Sequence, residues 1–443
     1  QAKDSLSTSF LKNLKKIFSN RAYFLLLLVC VLGLVLRQFN VSNNNVLFDY
    51  DQYEDLFHTR KILLGDPPII GRPIYGDPNL HHGVFYFYYN LIPYILFKAN
   101  PVLIIFWNNI FNVLACVVVF ILARLITKNN IFALVSAFIV AASYEYIQFS
   151  GWISSTAPTL LSVPLYFLGL WAYYRERKWG LTIAALGLGM SIQFEIFFVY
   201  LIPFFIIFYL IFRPKLPSTK SIMIPIAILF AFASTFILTE IKLGFAGIKT
   251  LTHFSETFDD SKISYIDRII LFRDKLALTF ANNLFPTHPE YGLFLTLTLV
   301  VASLYLILSS KTLKAEKQGL IFILLFILSP MLMLILGFHK QPWFLIGMPA
   351  GVALLVGFIL SKLKYRAIVL IVVTAIGLSN INAILENHGQ GPPLFKSETS
   401  SLLSSQLSVV EYTYVEAKGE PFSINSVTYP LYHNALWEYH YYW

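Results

Sequence analysis

Charge is what this chain has least of. Asp, Glu, Lys and Arg make up 13% of its 443 residues, against about 25% in an ordinary soluble domain. Apolar residues fill the gap, reaching 57% with a mean hydropathy of +0.65. A surface facing water all round could not be built from this composition, so a polytopic membrane protein is expected. Cysteine is almost missing as well. Cys30 and Cys116 are the only two, and each lies in an apolar run, where it reads as a small buried hydrophobe rather than half of a disulfide or metal pair. HxxxH, HExxH and CxxC spacings are absent, which leaves a metal without a recognised motif. GxGxxG, Walker and nucleophile-elbow patterns are absent too, which argues against a soluble nucleotide cofactor. No solenoid repeat or low-complexity linker divides the chain.

What is present is a series of apolar stretches near the 20 or so residues a crossing helix needs. They fall at 22–38, 101–126, 131–148, 158–174, 179–194, 196–212, 221–239, 290–309, 319–337, 342–360 and 367–385. The expected fold is mainly α, with about eleven transmembrane helices. The segment 83–97 is short and rich in Tyr, a residue that prefers the headgroup level, so it is expected as an interfacial helix. Charge placement supports that choice. With the N-terminus inside, the inner loops hold 19 of the 33 Lys and Arg but only three of the 24 Asp and Glu, as the positive-inside rule requires. Topology therefore explains the net charge of +9 better than nucleic acid does. The same rule asks for a break near Gln193–Glu195, since one long span over 179–212 would invert every later loop.

The basic N-terminus leads into an uncleaved first span, because no small-residue cleavage site follows the apolar run. The chain starts without Met and stops on EYHYYW, so trimming at one or both ends is expected. A transmembrane domain is expected over 1–385, with its first external loop at about 39–100. An external C-terminal segment is expected over 386–443. In that segment SLLSSQLSVVEYTYVEAK reads as helix and PFSINSV as strand, enough for a small lobe on the outer face. Between Glu240 and Pro289, IDRIILFRDKLALTF has the stripe of an amphipathic surface helix.

The scarce charge is concentrated in the first external loop. Residues 48–90 hold Asp49, Asp51, Glu54, Asp55, Asp66 and Asp77, with His58, His81, His82, Arg60, Lys61 and Arg72. In a helix Asp51 and Asp55 share a face with Glu54 beside them, and their repulsion needs a cation, a metal or water to offset it. Asp49, Asp66 and Asp77 read as solvated loop acids. Glu145, Glu195, Glu240 and Lys340 lie at the outer ends of apolar segments, where an ionisable group pairs, lines a cavity or snorkels to the interface.

The order FDYDQYED, GDPPIIG, HHGVFYFYYN, then SGWISSTAP, LGLGMSIQFE, TEIKLGF and PFSINSVTYP with LWEY resembles the GT-C class of integral membrane glycosyltransferases. It is most like the bacterial relatives of the protein O-mannosyltransferases and aminoarabinose transferases, over nearly the whole chain. The resemblance implies an enzyme that moves a sugar, hexosyl or pentosyl, from a polyprenyl-phosphate donor to a hydroxyl, with inversion, on the outer face of a cell membrane. It implies a catalytic base at Asp51 with Asp55 as partner, and His82 at the family's HG position. QFE at 193–195 stands where relatives usually carry QFH, and SSTAP at 154–158 where W-N-P is commoner.

On this reading His82, Glu195, Lys340, His339 and Arg72 are substrate-binding candidates. Arg268 and Arg273 are further cations that could meet the leaving phosphate. A divalent metal is left open, with Asp51, Asp55 and His82 as candidate ligands. The expected partners are a polyprenyl-phosphate sugar, a lipid, protein or glycan acceptor, and membrane lipids, with no nucleic acid. The rival reading is a secondary transporter or a flippase for lipid-linked sugars, but such folds favour internal repeats and midplane acids.

Overall fold

The computed structural model describes residues 20–39, 41, 44, 46–74, 77–252, 264–335, 345–386, 401–425 and 434–443. These form a mostly helical protein with one two-stranded hairpin. The first apolar run becomes the helix Arg21–Phe39 and buries one cation near its end. Arg37 is fully buried, and its guanidinium donates to the carbonyls of Gly33 at 3.0 Å, Ala141 at 3.1 Å and Val140 at 3.3 Å. The last two lie in the final turn of Asn130–Ala142, whose carbonyls have no donor within their own helix. The contact satisfies both sides. It also fixes that helix just before it bends by 51° into Tyr144–Ser150.

A second polar knot holds the bend from behind. Asn283 donates to Glu145 at 3.0 Å, Asn380 donates to the Asn283 carbonyl at 3.1 Å, and the Tyr144 N–H donates to Asn380 at 2.8 Å. Glu145 therefore does not snorkel; it is buried against amides.

Among the described residues five helices are long and apolar enough to cross a membrane: Arg21–Phe39, Pro101–Thr127, Thr219–Lys242, Pro289–Leu308 and Arg366–Glu386. The bent pair Asn130–Ala142 and Tyr144–Ser150 makes a sixth. The other expected spans are helical but shorter, such as the 16 residues of Thr159–Tyr174, or about 24 Å at 1.5 Å per residue. The irregular backbone at 152–158 that precedes this helix is buried in protein, the setting in which a membrane tolerates it. The helices Thr159–Tyr174 and Gly180–Phe194 pack closely at the centre. A Cβ on Gly187 would collide with the Tyr166 backbone, and one on Gly169 with Ala184, so these two small residues set the approach. Thr219–Lys242 and Pro289–Leu308 leave most of their apolar side chains uncovered, as lipid-facing helices do.

The chain breaks where charge placement asked. Gly180–Phe194 stops at Glu195, whose backbone is extended (φ −149°, ψ 110°), and a 3-10 turn at Ile196–Tyr200 leads into Leu201–Phe212. Phe85–Leu96 has 12 residues, about 18 Å, too short for a hydrocarbon core of about 30 Å. The amphipathic stretch is the helix Tyr265–Leu284. At the C-terminus Leu403–Ala417 is helical as expected; residues 421–425 of the expected strand are irregular, and its last two lie outside the described residues.

The described C-terminal residues pack on the first loop. The Phe48 N–H donates to the Ser401 carbonyl at 2.8 Å and the Leu403 N–H to that of Val46 at 3.0 Å. Gln406 donates to the Phe48 carbonyl at 2.7 Å, and the Arg60 guanidinium lies 3.7 Å from the Tyr442 ring centre.

Candidate active site

The loop acids are organised by one helix, Tyr50–Leu63. Asp49 starts it: its carboxylate accepts the Tyr50 N–H at 2.7 Å, while its own N–H donates to Gln52 at 2.9 Å. This capping box contributes on the order of 1 kcal/mol. The other oxygen of Asp49 accepts from the Ser401 hydroxyl at 3.0 Å. Asp49 is thus a capping residue and not the solvated loop acid the sequence suggested. Asp51 falls in the first turn, and Arg60 and Lys61 in the last, the charge order that the helix dipole favours.

A short hairpin brings the second half of the loop onto that helix. Pro73–Ile74 pairs antiparallel with Asp77–His81, and just outside the ladder the His82 N–H donates to the Arg72 carbonyl at 2.9 Å. The two histidines part company here. His81 turns into the hairpin, its ring nitrogens 2.9 Å from the carbonyls of Gly71 and Pro78. His82 turns to Glu195, with Nδ1 3.1 Å from Oε1.

Arg72 reaches the helix. Its Nη1 is 2.9 Å from Asp51 and 3.9 Å from Glu54, and its Nε is 3.0 Å from Asp55. The two acids differ in setting: the Asp51 side chain is 61% exposed and that of Asp55 is 1% exposed. Neither Asp55 oxygen completes an aligned hydrogen bond, so the contact with Arg72 is one of charge. Burial pushes the Asp55 carboxyl up to about 8; Arg72 opposes this, and the charges of Asp51, Glu54 and Glu195 add to it. Burial likewise opposes the charge of Arg72, but these four carboxylates outweigh it and raise its pKa. The charge of Glu195 reaches both Asp55 and Arg72, and the His82–Arg72 backbone bond holds the His82–Glu195 pair next to the Arg72 group.

Gln193 was not expected as a site residue, although IQFE drew notice at the helix break. Its Oε1 accepts the Phe85 N–H at 3.2 Å, and its Nε2 donates to Thr235 at 2.8 Å and to the Phe232 carbonyl. A Cβ on Gly83 would strike both the Gln193 carbonyl and its side chain. The HHG turn is thereby seated against the break that presents Glu195.

The other candidates are elsewhere. His339 and Lys340 lie outside the described residues. Glu240 accepts the Ile248 N–H at 3.1 Å, Arg273 pairs with Asp274 at 2.7 Å, and Arg268 lies over the Tyr265 ring. Among the described residues no three His, Cys, Asp or Glu side chains converge as a metal site. The Arg72 guanidinium fills the position between Asp51 and Asp55 that a cation would take, and His82 faces Glu195 instead.

The profile described as dolichyl-phosphate-mannose-protein mannosyltransferase matches residues 22–258, more than half of the chain. The chain belongs to that family. It is a multi-pass membrane protein, and its family is of the GT-C class. No curated protein sequence matches it. Two of the solved structures similar to it share its fold. One is the archaeal oligosaccharyltransferase AglB from Archaeoglobus fulgidus, in complex with an inhibitory peptide and a dolichol-phosphate. It has a TM-score of 0.53 and 14% identity over 93% of this chain and 62% of AglB, so this chain spans less than two thirds of that protein. The other is ArnT from Cupriavidus metallidurans bound to undecaprenyl phosphate, with a TM-score of 0.56 and 9% identity over 88% of this chain and 79% of ArnT.

Proposed function

We propose that the protein transfers a sugar from a polyprenyl-phosphate donor to an acceptor hydroxyl, with inversion, at the outer face of the membrane. The observation that carries this reading is the meeting of Asp51, Asp55 and Arg72 beside His82 and Glu195, on the first loop of a family that handles lipid-phosphate sugars. The lipid phosphates bound to AglB and ArnT lend support. The uneven placement of Lys and Arg supports about eleven spans, a cytoplasmic N-terminus and an external segment over 386–443.

In this scheme Asp55 accepts the acceptor proton as the oxygen–C1 bond forms, and the C1–phosphate bond breaks with its electron pair leaving on the polyprenyl phosphate. A carboxyl near 8 is far better matched to that proton than one near 4. Asp51, on the exposed side, receives the acceptor, and Arg72 holds the two acids together. His82 with Glu195 contacts substrate. Lys340 and His339 are proposed to meet the phosphate.

The test is incubation of the purified protein with labelled polyprenyl-phosphate sugars and membrane extract. Label should move to a lipid, protein or glycan in the wild type and stay on the donor with Asp55→Asn. Movement of lipid-linked sugar across liposomes without any glycosyl product would overturn the assignment.

A further inference from the structure

The helix that carries Asp51 and Asp55 is started from the far end of the chain. Its first bond runs from the Tyr53 N–H to the Asp49 carbonyl at 3.1 Å, so the Phe48 carbonyl, one residue earlier, takes no part in the helix. Phe48 is 0% exposed, and its carbonyl needs a donor from elsewhere in the fold. Gln406 supplies it at 2.7 Å. The other end of the same amide, Oε1, lies 2.7 Å from Nε2 of His440. A carbonyl can only accept, so Gln406 must turn Nε2 to Phe48 and Oε1 to His440, and His440 must carry its proton on Nε2. Gln406 and His440 are both buried. Burial pushes the His440 imidazole down to about 4, so the ring stays neutral. It packs against the rings of Phe48, Trp437 and Tyr439, a setting that Phe would fill as well. What imidazole adds there is the N–H for Gln406.

We infer that Gln406 is a positioning residue for sugar transfer and that His440 holds its amide in place, so that the C-terminal segment decides where the helix bearing both acids begins. Ser401 works at the same point: its carbonyl accepts the Phe48 N–H and its hydroxyl donates to Asp49. Asp51 and Asp55 follow within two turns of that start, and Arg72 meets them from the hairpin at 2.9 and 3.0 Å. A helix begun one residue late would turn each acid by about 100° and shift it by about 1.5 Å. A misplacement of about 1 Å costs up to about a hundredfold in rate. Gln406 and His440 act through Phe48 rather than by touching substrate. The inference rests on the glycosyl-transfer reading and adds to its machinery a side chain 358 residues away from Phe48 in sequence.

The test sets kcat against Tm in three variants of the full chain, assayed with labelled polyprenyl-phosphate sugars and membrane extract. Gln406→Met keeps the volume and removes both hydrogen bonds. His440→Phe keeps the ring and removes the N–H, whereas His440→Gln loses the ring but restores an amide N–H near the place of Nε2. Gln406→Met and His440→Phe should each lose about tenfold or more in kcat, with KM for the donor within about twofold of wild type. His440→Phe should hold its Tm, while His440→Gln should melt earlier yet keep most of the kcat. The two His440 variants then rank one way in stability and the other way in rate, which a packing role alone does not produce. If kcat follows Tm across them, or Gln406→Met turns over like wild type, the inference falls and sugar transfer stands. If wild type moves no sugar, the transfer reading falls and takes the inference with it.

Discussion

The backbone N–H of His82 donates to the carbonyl of Arg72 at 2.9 Å. This one bond closes a hairpin whose two ends face opposite partners, Arg72 toward Asp51 and Asp55 and His82 toward Glu195. A residue slip in the hairpin would move both side chains together, because strand neighbours alternate faces.

Asp55→Asn is expected to reduce sugar transfer by at least about a thousandfold, within the range for losing a positioned base, with the protein still inserted and monodisperse in detergent. Asp51→Asn should cost less, since Asp51 is largely exposed. Steady-state rates for the two variants decide between them, and a larger loss at Asp51 would return the proton to that residue.

Arg72→Met leaves buried Asp55 without its countercharge. The Asp55 carboxyl, already pushed up to about 8 with Arg72 present, then stays protonated rather than charged. The loss of stability, seen as a fall in Tm, should therefore be well short of the about 3–5 kcal/mol of a broken, fully ionised buried pair. Arg72→Lys should rescue stability better than activity, because a point charge cannot face Asp51 and Asp55 from two nitrogens.

The pH dependence follows from the Asp55 carboxyl at about 8. The base is needed ionised, so kcat/KM should rise with pH and level off above about 8. Stability should run the other way. An acid whose folded pKa is raised above its unfolded value of about 3.9 binds its proton more tightly when folded, so stability falls as pH rises between those two values. Asp55→Asn should flatten that decline in Tm, and an unchanged slope would remove Asp55 as its source.

Gly83→Ala drives a Cβ into Gln193. The backbone there has little room to yield, so a loss of about 1–3 kcal/mol is expected, with activity falling further as His82 leaves Glu195. Gln193→Ala keeps the space but loses the Phe85 and Thr235 contacts; its effect should fall mainly on activity. Thermal unfolding and transfer rates measured on both variants separate the two causes.

Much of the organisation was legible in the chain because it follows from local rules. Apolar length marked the spanning helices, charge bias asked for the break that falls at Glu195, and Tyr content marked Phe85–Leu96 as too polar and too short to cross. Asp51 and Asp55 on one face followed from helical spacing alone. Asp49 was misread because capping depends on where the helix begins, a boundary the pattern leaves open by a residue or two. PFSINSV was read as a strand from alternation, yet its described residues 421–425 are irregular, because alternation within a segment says nothing about whether a neighbouring strand exists.

What the sequence determined by itself is the solvent each segment meets: 13% charge, kept mostly to the connections between apolar runs, leaves lipid for the helices and water for the loops. What only the tertiary structure decided is which acid is buried. Asp51 and Asp55 are the same residue type four positions apart, and spacing cannot rank them. Packing of Phe85–Leu96 and the hairpin over one end of the helix leaves Asp51 in water and removes Asp55 from it. Desolvation then raises the proton affinity of Asp55, because a carboxylate is stabilised by the water it keeps.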